Sequence, residues 1–228
     1  MNQTNKKSST WKVLGFLFLI LILPILWIMI NKTGVHYSKK LPIYFDRELD
    51  SKGDTIYHTI ENFKLINQKS DTVTLNSFDD KLMLVNFFFA NCETVCPKMN
   101  NFIAFHIYSE FEKDDMIRFL SFTVDPINDT PSVLLDYSKK LNAKLPNWTF
   151  LTGNKSTIYN LAEYSFKIPG AADEHNGLFH SNKIVLVDKQ KRVRGVFETG
   201  GQNDKKEIID AVRALKLEYK TSENQKTI

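Results

Sequence analysis

One run of eight residues, Leu82-Met83-Leu84-Val85-Asn86-Phe87-Phe88-Phe89, contains a single polar side chain. A strand with one wet face would alternate. This run does not, so it predicts a central strand buried on both faces, in a sheet with a parallel neighbour and helices above and below. The residues that follow are as restrictive: Asn91-Cys92-Glu93-Thr94-Val95-Cys96-Pro97 holds the only two cysteines of the 228-residue chain. A bridge between them would close a loop of about five residues, worth roughly 2 kcal/mol of loop entropy, too little for a structural staple in a chain of this length. The pair is left as a redox couple or as two soft thiolate ligands for a metal.

The flanking sequence supplies the other layers. Residues 63–66 and 72–75 are short alternating runs around Asn67-Gln68-Lys69-Ser70-Asp71 and predict a hairpin, and 119–124 predicts a second buried strand. Between the two central strands, Pro97 to about Glu112 carries Met99, Phe102, Ile103 and His106 at three- and four-residue steps. That spacing predicts a helix with one core face, on which His106 is expected as a packed core histidine. Thr130-Pro131 opens another helix, a capping hydroxyl ahead of proline at the first helical position. Residues 184–187 and 193–197 flank the basic turn Lys189-Gln190-Lys191-Arg192 as a second hairpin. Residues 204–215 close the domain as a helix with Ile208, Val212 and Leu215 inward. Hairpin, βαβ units, hairpin and helix make an α/β fold, a mixed sheet with helices on both faces. Cys92 then follows the C-terminal end of a central strand and Cys96 stands at a helix start, where reactive groups gather in such sheets. The helix dipole favours thiolate there, and Glu93 opposes it.

Residues 13–30 form eighteen uncharged positions, about 27 Å of helix, enough to cross a hydrocarbon core. Pro24 lies inside the run, which membrane helices tolerate. One N-terminal transmembrane helix is expected, and an uncleaved one. A signal peptide would end in small residues, and here Trp27-Ile28-Met29-Ile30-Asn31-Lys32 stands instead. Lys6, Lys7 and Lys12 keep the N-terminus cytoplasmic, against a weaker pull from Lys32, Lys39 and Lys40, so the soluble part faces the extracytoplasmic, periplasmic side of the cell membrane. The expected order is a cytoplasmic tail 1–12, an anchor 13–30, a spacer 31–55 with a turn at Ser51-Lys52-Gly53-Asp54, one domain over 56–215 and a frayed polar tail 216–228. The net charge of +4 gathers in the N-terminal tail, the spacer and the basic turn, so no nucleic-acid face is expected. There is no internal repeat and no glycine-rich phosphate loop. In an oxidising space a lone cysteine pair becomes a disulfide unless a reductant or a metal intervenes.

Histidine is the third candidate ligand. His36 lies in the spacer and His58 ahead of the first hairpin. His175 and His180 lie in Asp173-Glu174-His175-Asn176-Gly177-Leu178-Phe179-His180-Ser181, the loop feeding 184–187, so sheet order can bring them beside the cysteines. His175 reads first as a solvated loop residue, and His180 reads equally as a hydrogen-bonded loop residue or a ligand. Two thiolates and one imidazole suit Cu(I) or Cu(II) and leave a position open for transfer. A closed zinc site needs a fourth ligand, for which His175, Asp173 or Glu174 remains possible. Two cysteines are too few for an iron–sulfur cluster, and covalent haem wants a histidine where Pro97 stands. A thiol–disulfide oxidoreductase stays open, because one thiolate can attack a target disulfide and the other resolve it. A peroxiredoxin does not, since Val85 and Phe89 occupy the positions of its proline and threonine.

Five blocks in order carry a resemblance. Cys92-x-x-x-Cys96-Pro97 after an aromatic-rich strand comes first, then Phe122-Thr123-Val124-Asp125-Pro126 with Asp129-Thr130-Pro131. Phe150-Leu151-Thr152-Gly153 follows, and then His180-Ser181 leading into Ile184-Val185-Leu186-Val187-Asp188. Over about 56 to 215 the chain resembles the Sco/SenC copper-chaperone family. The resemblance implies a thioredoxin-like fold with copper bound by Cys92, Cys96 and His180. It further implies a membrane-anchored metallochaperone whose partner is a copper-accepting protein such as a cytochrome c oxidase subunit. Family members help assemble the oxidase's binuclear copper centre by delivering copper, by reducing the target's cysteines, or both. Glu93 and Ala90 depart from the proline and threonine of many members.

Overall fold

The structure, a computed structural model, describes residues 7–33, 40–45, 47–92, 95–168, 181–201 and 203–226. The chain divides after Lys39 into two units. In the first, α1 (Lys7–Thr33) runs as one helix through Pro24. The side chains described on it, Trp11 and residues 15–27, are exposed, and from Phe16 to Trp27 they are almost all large and apolar. Among the described residues no helix is long and apolar enough to cross a membrane. The expected anchor, 13–30, extends at both ends over side chains outside the described ones, and its backbone is helical over the full length.

The second unit begins with β1 (Arg47–Leu49) and β2 (Thr55–Tyr57), an antiparallel pair closed by the turn at Ser51-Lys52-Gly53, inside the stretch expected as a spacer. The main sheet is built from β3 (Lys64–Asn67), β4 (Thr72–Thr74), β5 (Leu82–Phe88), β6 (Ile117–Thr123), β7 (Trp148–Thr152), β8 (Lys183–Val187) and β9 (Val193–Glu198), in the order β4-β3-β7-β6-β5-β8-β9. β5 and β7 run parallel to β6 while the other pairs are antiparallel, which makes the sheet mixed.

All seven residues of β5 are buried, as its composition requires. Successive side chains of a strand face opposite ways, and the two halves of β5 enter two separate cores. Leu82, Leu84 and Phe88 pack with Met99, Ile103, Ile107, Phe111, Ile208, Val212 and Leu215. Met83, Val85 and Phe87 pack with Phe122, Ile158, Leu161 and Phe166. The first core lies under the helix that starts at α2 (Val95–Phe102), passes through a π turn at Ile103–Tyr108 and ends in α3 (Ser109–Phe111). α4 (Pro131–Lys140) and α6 (Asp204–Lys226) share that face, through Leu134 and through Ile208, Val212 and Leu215. The second core is covered by α5 (Lys155–Asn160), continued by a π turn at Leu161–Ser165.

Three local expectations are corrected. His106 is exposed, not packed in the core, and its ring lies 5.4 Å from Phe102. The wide π turn changes the phase of the helix after Ile103, so Ile107 and Tyr108 turn inward in its place. Thr130 is the N-cap residue of α4, but its hydroxyl meets the Ser132 hydroxyl at 3.0 Å and no backbone amide. β7 and α5 have no forecast in the hydrophobic pattern. Gly153, just after β7, has φ 157°, and a Cβ there would stand 2.7 Å from Leu65 Cδ2, which accounts for glycine in that block. α6 continues past Leu215 through the stretch expected as a frayed tail. Lys216 pairs with Asp114, Glu218 with Arg194 at 2.8 Å and Glu223 with Lys189 at 2.9 Å, and these contacts tie its polar turns to the domain.

Candidate metal centre

β5 delivers the chain to the C-terminal edge of the sheet, where Val124 N donates to Phe88 O at 2.8 Å and keeps β6 alongside to its end. Cys92 lies four residues beyond β5 and Cys96 is the second residue of α2. Neither is in a disulfide, and both are buried, at 6% and 2% exposure. The Cys96 amide donates to Cys92 Sγ at 3.5 Å, so the first turn of the helix folds back over the first sulfur. Glu93 and Thr94, between them, lie outside the described residues, as do His36, Asp173, Glu174, His175 and His180.

Ser181 is buried, and its hydroxyl accepts from Lys183 N at 3.2 Å at the head of β8. β8 is antiparallel to β5 with Asn86 opposite Ile184. The residues that precede Lys183 therefore enter at the same edge of the sheet at which Phe89–Cys92 leaves it. Among the described residues no group of three or more His, Cys, Asp or Glu side chains could hold a metal ion. A third ligand beside the two sulfurs has to come from elsewhere in the chain or from a partner.

Burial decides the charge state of the metal-free pair. It pushes the Cys96 thiol up to about 12, helped by the hydrogen bond and charge of Cys92 and partly offset by hydrogen bonding from the backbone at Phe89. The expectation that the helix N-terminus favours thiolate is outweighed by this desolvation. Two consequences can be measured. At pH 8 the Cys96 thiolate fraction is expected to be roughly a thousandfold below that of an ordinary thiol, so alkylation of Cys96 in the metal-free chain should be slow and accelerate as pH rises. The folded chain holds this proton more tightly than the unfolded one. Stability from Cys96 is thus fully present below the ordinary thiol range and lost as pH climbs from about 9 toward 12. Stability that rose across that window in denaturant titrations would contradict this environment.

Two hydrogen-bonded groups absent from the sequence expectations surround the pair. The first runs under it: Trp148 Nε1 donates to Ser121 Oγ at 2.9 Å and Ser121 Oγ to Asn86 Oδ1 at 2.6 Å. Asn86 Nδ2 donates to Asn100 Oδ1, and Asn100 Nδ2 to the Tyr137 hydroxyl, both at 2.9 Å. Asn100 is one helical turn past Cys96, so this chain sets the rotation of the helix that carries the second sulfur. Asn86 was visible as the lone polar residue of the apolar run, but its partner was not. Tyr137 is pushed up to about 12 by burial, with Cys96 and Cys92 among the groups that raise it. The second group is centred on Asp129, 1% exposed, which accepts from Ala90 N at 2.9 Å and from the Thr123 hydroxyl. Burial pushes its carboxyl up. Asp129 and Tyr137 line a cleft of about 450 Å³ with Ala90, Asn91, Asn128 and Val133, which opens beside the cysteine segment.

The SCO1/SenC family pattern matches residues 52–216. The SCO1 protein homolog of Bacillus subtilis is 32% identical over 143 residues, 61% of this chain and 74% of that protein. A SCO1/SenC family lipoprotein from Bacillus anthracis superposes with a TM-score of 0.63 at 26% identity, covering 69% of this chain and 95% of that one. BsSco, a member of the Sco family of cytochrome c oxidase assembly proteins in which a disulfide switch has been identified, gives 0.58 at 29% identity, over 69% and 93%. Bradyrhizobium japonicum ScoI with copper bound gives 0.55 at 23% identity over 69% and 99%, a likeness of fold. The mixed sheet with its flanking helices is the thioredoxin-like fold of these Sco proteins.

Proposed function

The chain belongs to the SCO1/SenC family, and on that premise we propose that it is a membrane-anchored copper metallochaperone, with Cys92 and Cys96 as thiolate ligands and His180 as the third. The observation that carries the proposal is the pair of buried sulfurs outside any disulfide at the C-terminal edge of the central strand, one folded over by the other's amide. Soft sulfur selects Cu(I), imidazole adds affinity for Cu(II), and three ligands leave room for an acceptor's ligand to enter during transfer. Copper is cargo here, and the chain's own work is to hold two thiols reduced, give up their protons on loading and take protons back on release. The antiparallel entry of β8 at the edge where β5 ends supports a role for His180, two residues before Asn182. The copper carried by Bradyrhizobium japonicum ScoI in the same fold supports the choice of metal.

The acceptor in this proposal is a copper protein of oxidase assembly, such as a cytochrome c oxidase subunit. The anchor is residues 13–30, within α1, with residues 1–12 cytoplasmic and the folded domain on the extracytoplasmic, periplasmic side. The continuous helical backbone over 13–30 supports the anchor. The test is an anaerobic copper titration of the full chain. One copper per chain is expected, and His180→Ala is expected to weaken Cu(II) by about 10-fold or more and Cu(I) less, because two thiolates alone can hold Cu(I) in linear geometry. Unchanged Cu(II) binding by that variant would remove His180 from the site.

One observation favours a companion activity. The two sulfurs are close enough for the Cys96 amide to reach Cys92 Sγ, and BsSco carries a disulfide switch. Reduction of a target's disulfide by this pair would consume both thiols and leave a Cys92–Cys96 disulfide, to be reduced again by an external dithiol. Fast turnover of a target peptide with no copper affinity would put this activity first.

A further inference from the structure

We propose that Asp129 is a positioning residue, which sets the exposure and separation of the two sulfurs through the backbone amide of Ala90. Ala90 is two residues from Cys92, in the segment that joins β5 to α2. Its amide donates to Asp129 Oδ2 at 2.9 Å. The same oxygen accepts from the Thr123 hydroxyl at the end of β6, and that hydroxyl accepts from Asp125 N at 3.0 Å. Asp129's own amide donates to Asp125 O at 2.9 Å. A side chain held rigidly in the loop between β6 and α4 thereby grips the loop that carries Cys92, while the Cys92 amide reaches back to Phe89 O at a long 3.4 Å.

The grip is a matter of acceptor geometry. One oxygen takes two donors at once, which a carboxylate or a carboxamide oxygen can do and an alkyl group cannot. The position of that oxygen matters because Cys92 is 6% exposed and meets a neighbour's amide at 3.5 Å. A shift of the Ala90–Cys92 segment would open the first sulfur to solvent and change the ease with which it reaches the second. Loss of such outer-shell support elsewhere costs about 10–100-fold in site properties.

The inference rests on the proposed Cys92–Cys96 pair, and its test uses the metal-free full chain, so a failed copper titration and a failure here are separate results. Two quantities are read. One is the equilibrium disulfide + 2 glutathione ⇌ dithiol + glutathione disulfide for the Cys92–Cys96 couple. The other is the alkylation rate of Cys92 in a Cys96→Ser background. Asp129→Leu is expected to shift the equilibrium constant by about tenfold, about 30 mV for a two-electron couple, and to raise the alkylation rate about tenfold. Asp129→Asn keeps an oxygen in place without the charge and should stay within about twofold of the parent in both. Asp129→Glu keeps the charge but moves the oxygen by one methylene, and should shift both in the manner of the leucine variant. If Asp129→Leu does not fold, the asparagine and glutamate variants decide alone. Parent-like glutamate with a shifted asparagine would assign the effect to charge and overturn positioning, and parent-like behaviour of every variant would overturn it as well.

Discussion

Cys96→Ser is expected to lower copper affinity by more than the ~10–100-fold that loss of an outer-shell partner costs, and Cys92→Ser likewise, because each removes a donor and not a support. A hydroxyl is a hard, weakly acidic donor, and a soft ion gains little from it. One sulfur would remain, and a single thiolate cannot provide the two-coordinate geometry that makes a dithiol an effective Cu(I) site. The proton inventory changes too. Cys96 is protonated at neutral pH in the metal-free chain, its thiol pushed up to about 12 by burial, so loading the parent releases its proton and affinity rises with pH. In Cys96→Ser that part of the pH dependence should vanish. A competition titration against a Cu(I) chelator, repeated at two pH values with proton release followed, reads both effects. Either serine variant binding copper as the parent does, with the same proton release, would remove the pair from the site.

Arg194→Met is expected to destabilise the folded chain by about 3–5 kcal/mol, the cost of breaking a buried ion pair by removing one partner. Arg194 and Asp188 are both essentially without exposure, and Nη1 meets Asp188 Oδ2 at 3.1 Å. Arg194 Nη2 also donates to Glu218 Oε2 at 2.8 Å and to Leu41 O at 2.7 Å, while Nε donates to Pro42 O at 3.0 Å. Methionine fills much of the same volume, so the loss is of charge and donors rather than of packing. Arg192 remains on Asp188, with Nη2 at 2.7 Å from the same oxygen, which holds the effect toward the lower end of the range. Two carbonyls of the segment that enters the domain, and one carboxylate of α6, lose their donor together. Urea unfolding gives the free energy, and the thermal midpoint should fall by roughly 10 °C for a domain of this size. A loss below about 1 kcal/mol would show that the buried network is not the tie between β9, α6 and residues 40–45 that its geometry suggests.

Much of the sheet was legible because burial on both faces leaves a plain mark. The apolar run of β5, the alternating runs of β3 and β4 and the hairpin of β8 and β9 all follow from side-chain pattern alone. β7 left no such mark: five buried residues with Thr149 and Thr152 among them look neither alternating nor continuously apolar. His106 was misplaced because the helix changes pitch at Ile103–Tyr108, and a fixed 3.6-residue period cannot foresee a π turn. The polar end of α6 read as a frayed tail since its partners, Asp114, Arg194 and Lys189, are distant in sequence. At the site, the cysteines stood out by type and spacing. Asp129 was visible only as part of a block, and Asn86 only as an interruption.

The amino-acid order by itself determined the central buried strand, the placement of two thiols just past its end, the long apolar N-terminal stretch and the family. The first three are local properties, set by side-chain type and period along contiguous residues, and the family rests on five such blocks kept in order. Tertiary structure alone decided that both sulfurs are buried and one strongly protonated, that Asn86 reaches Asn100 beneath the second sulfur, and that Asp129 grips Ala90 beside the first. Those outcomes depend on distances between segments 14 to 39 residues apart. They are set when packed layers remove water and leave each polar group only the partners that the fold brings within reach.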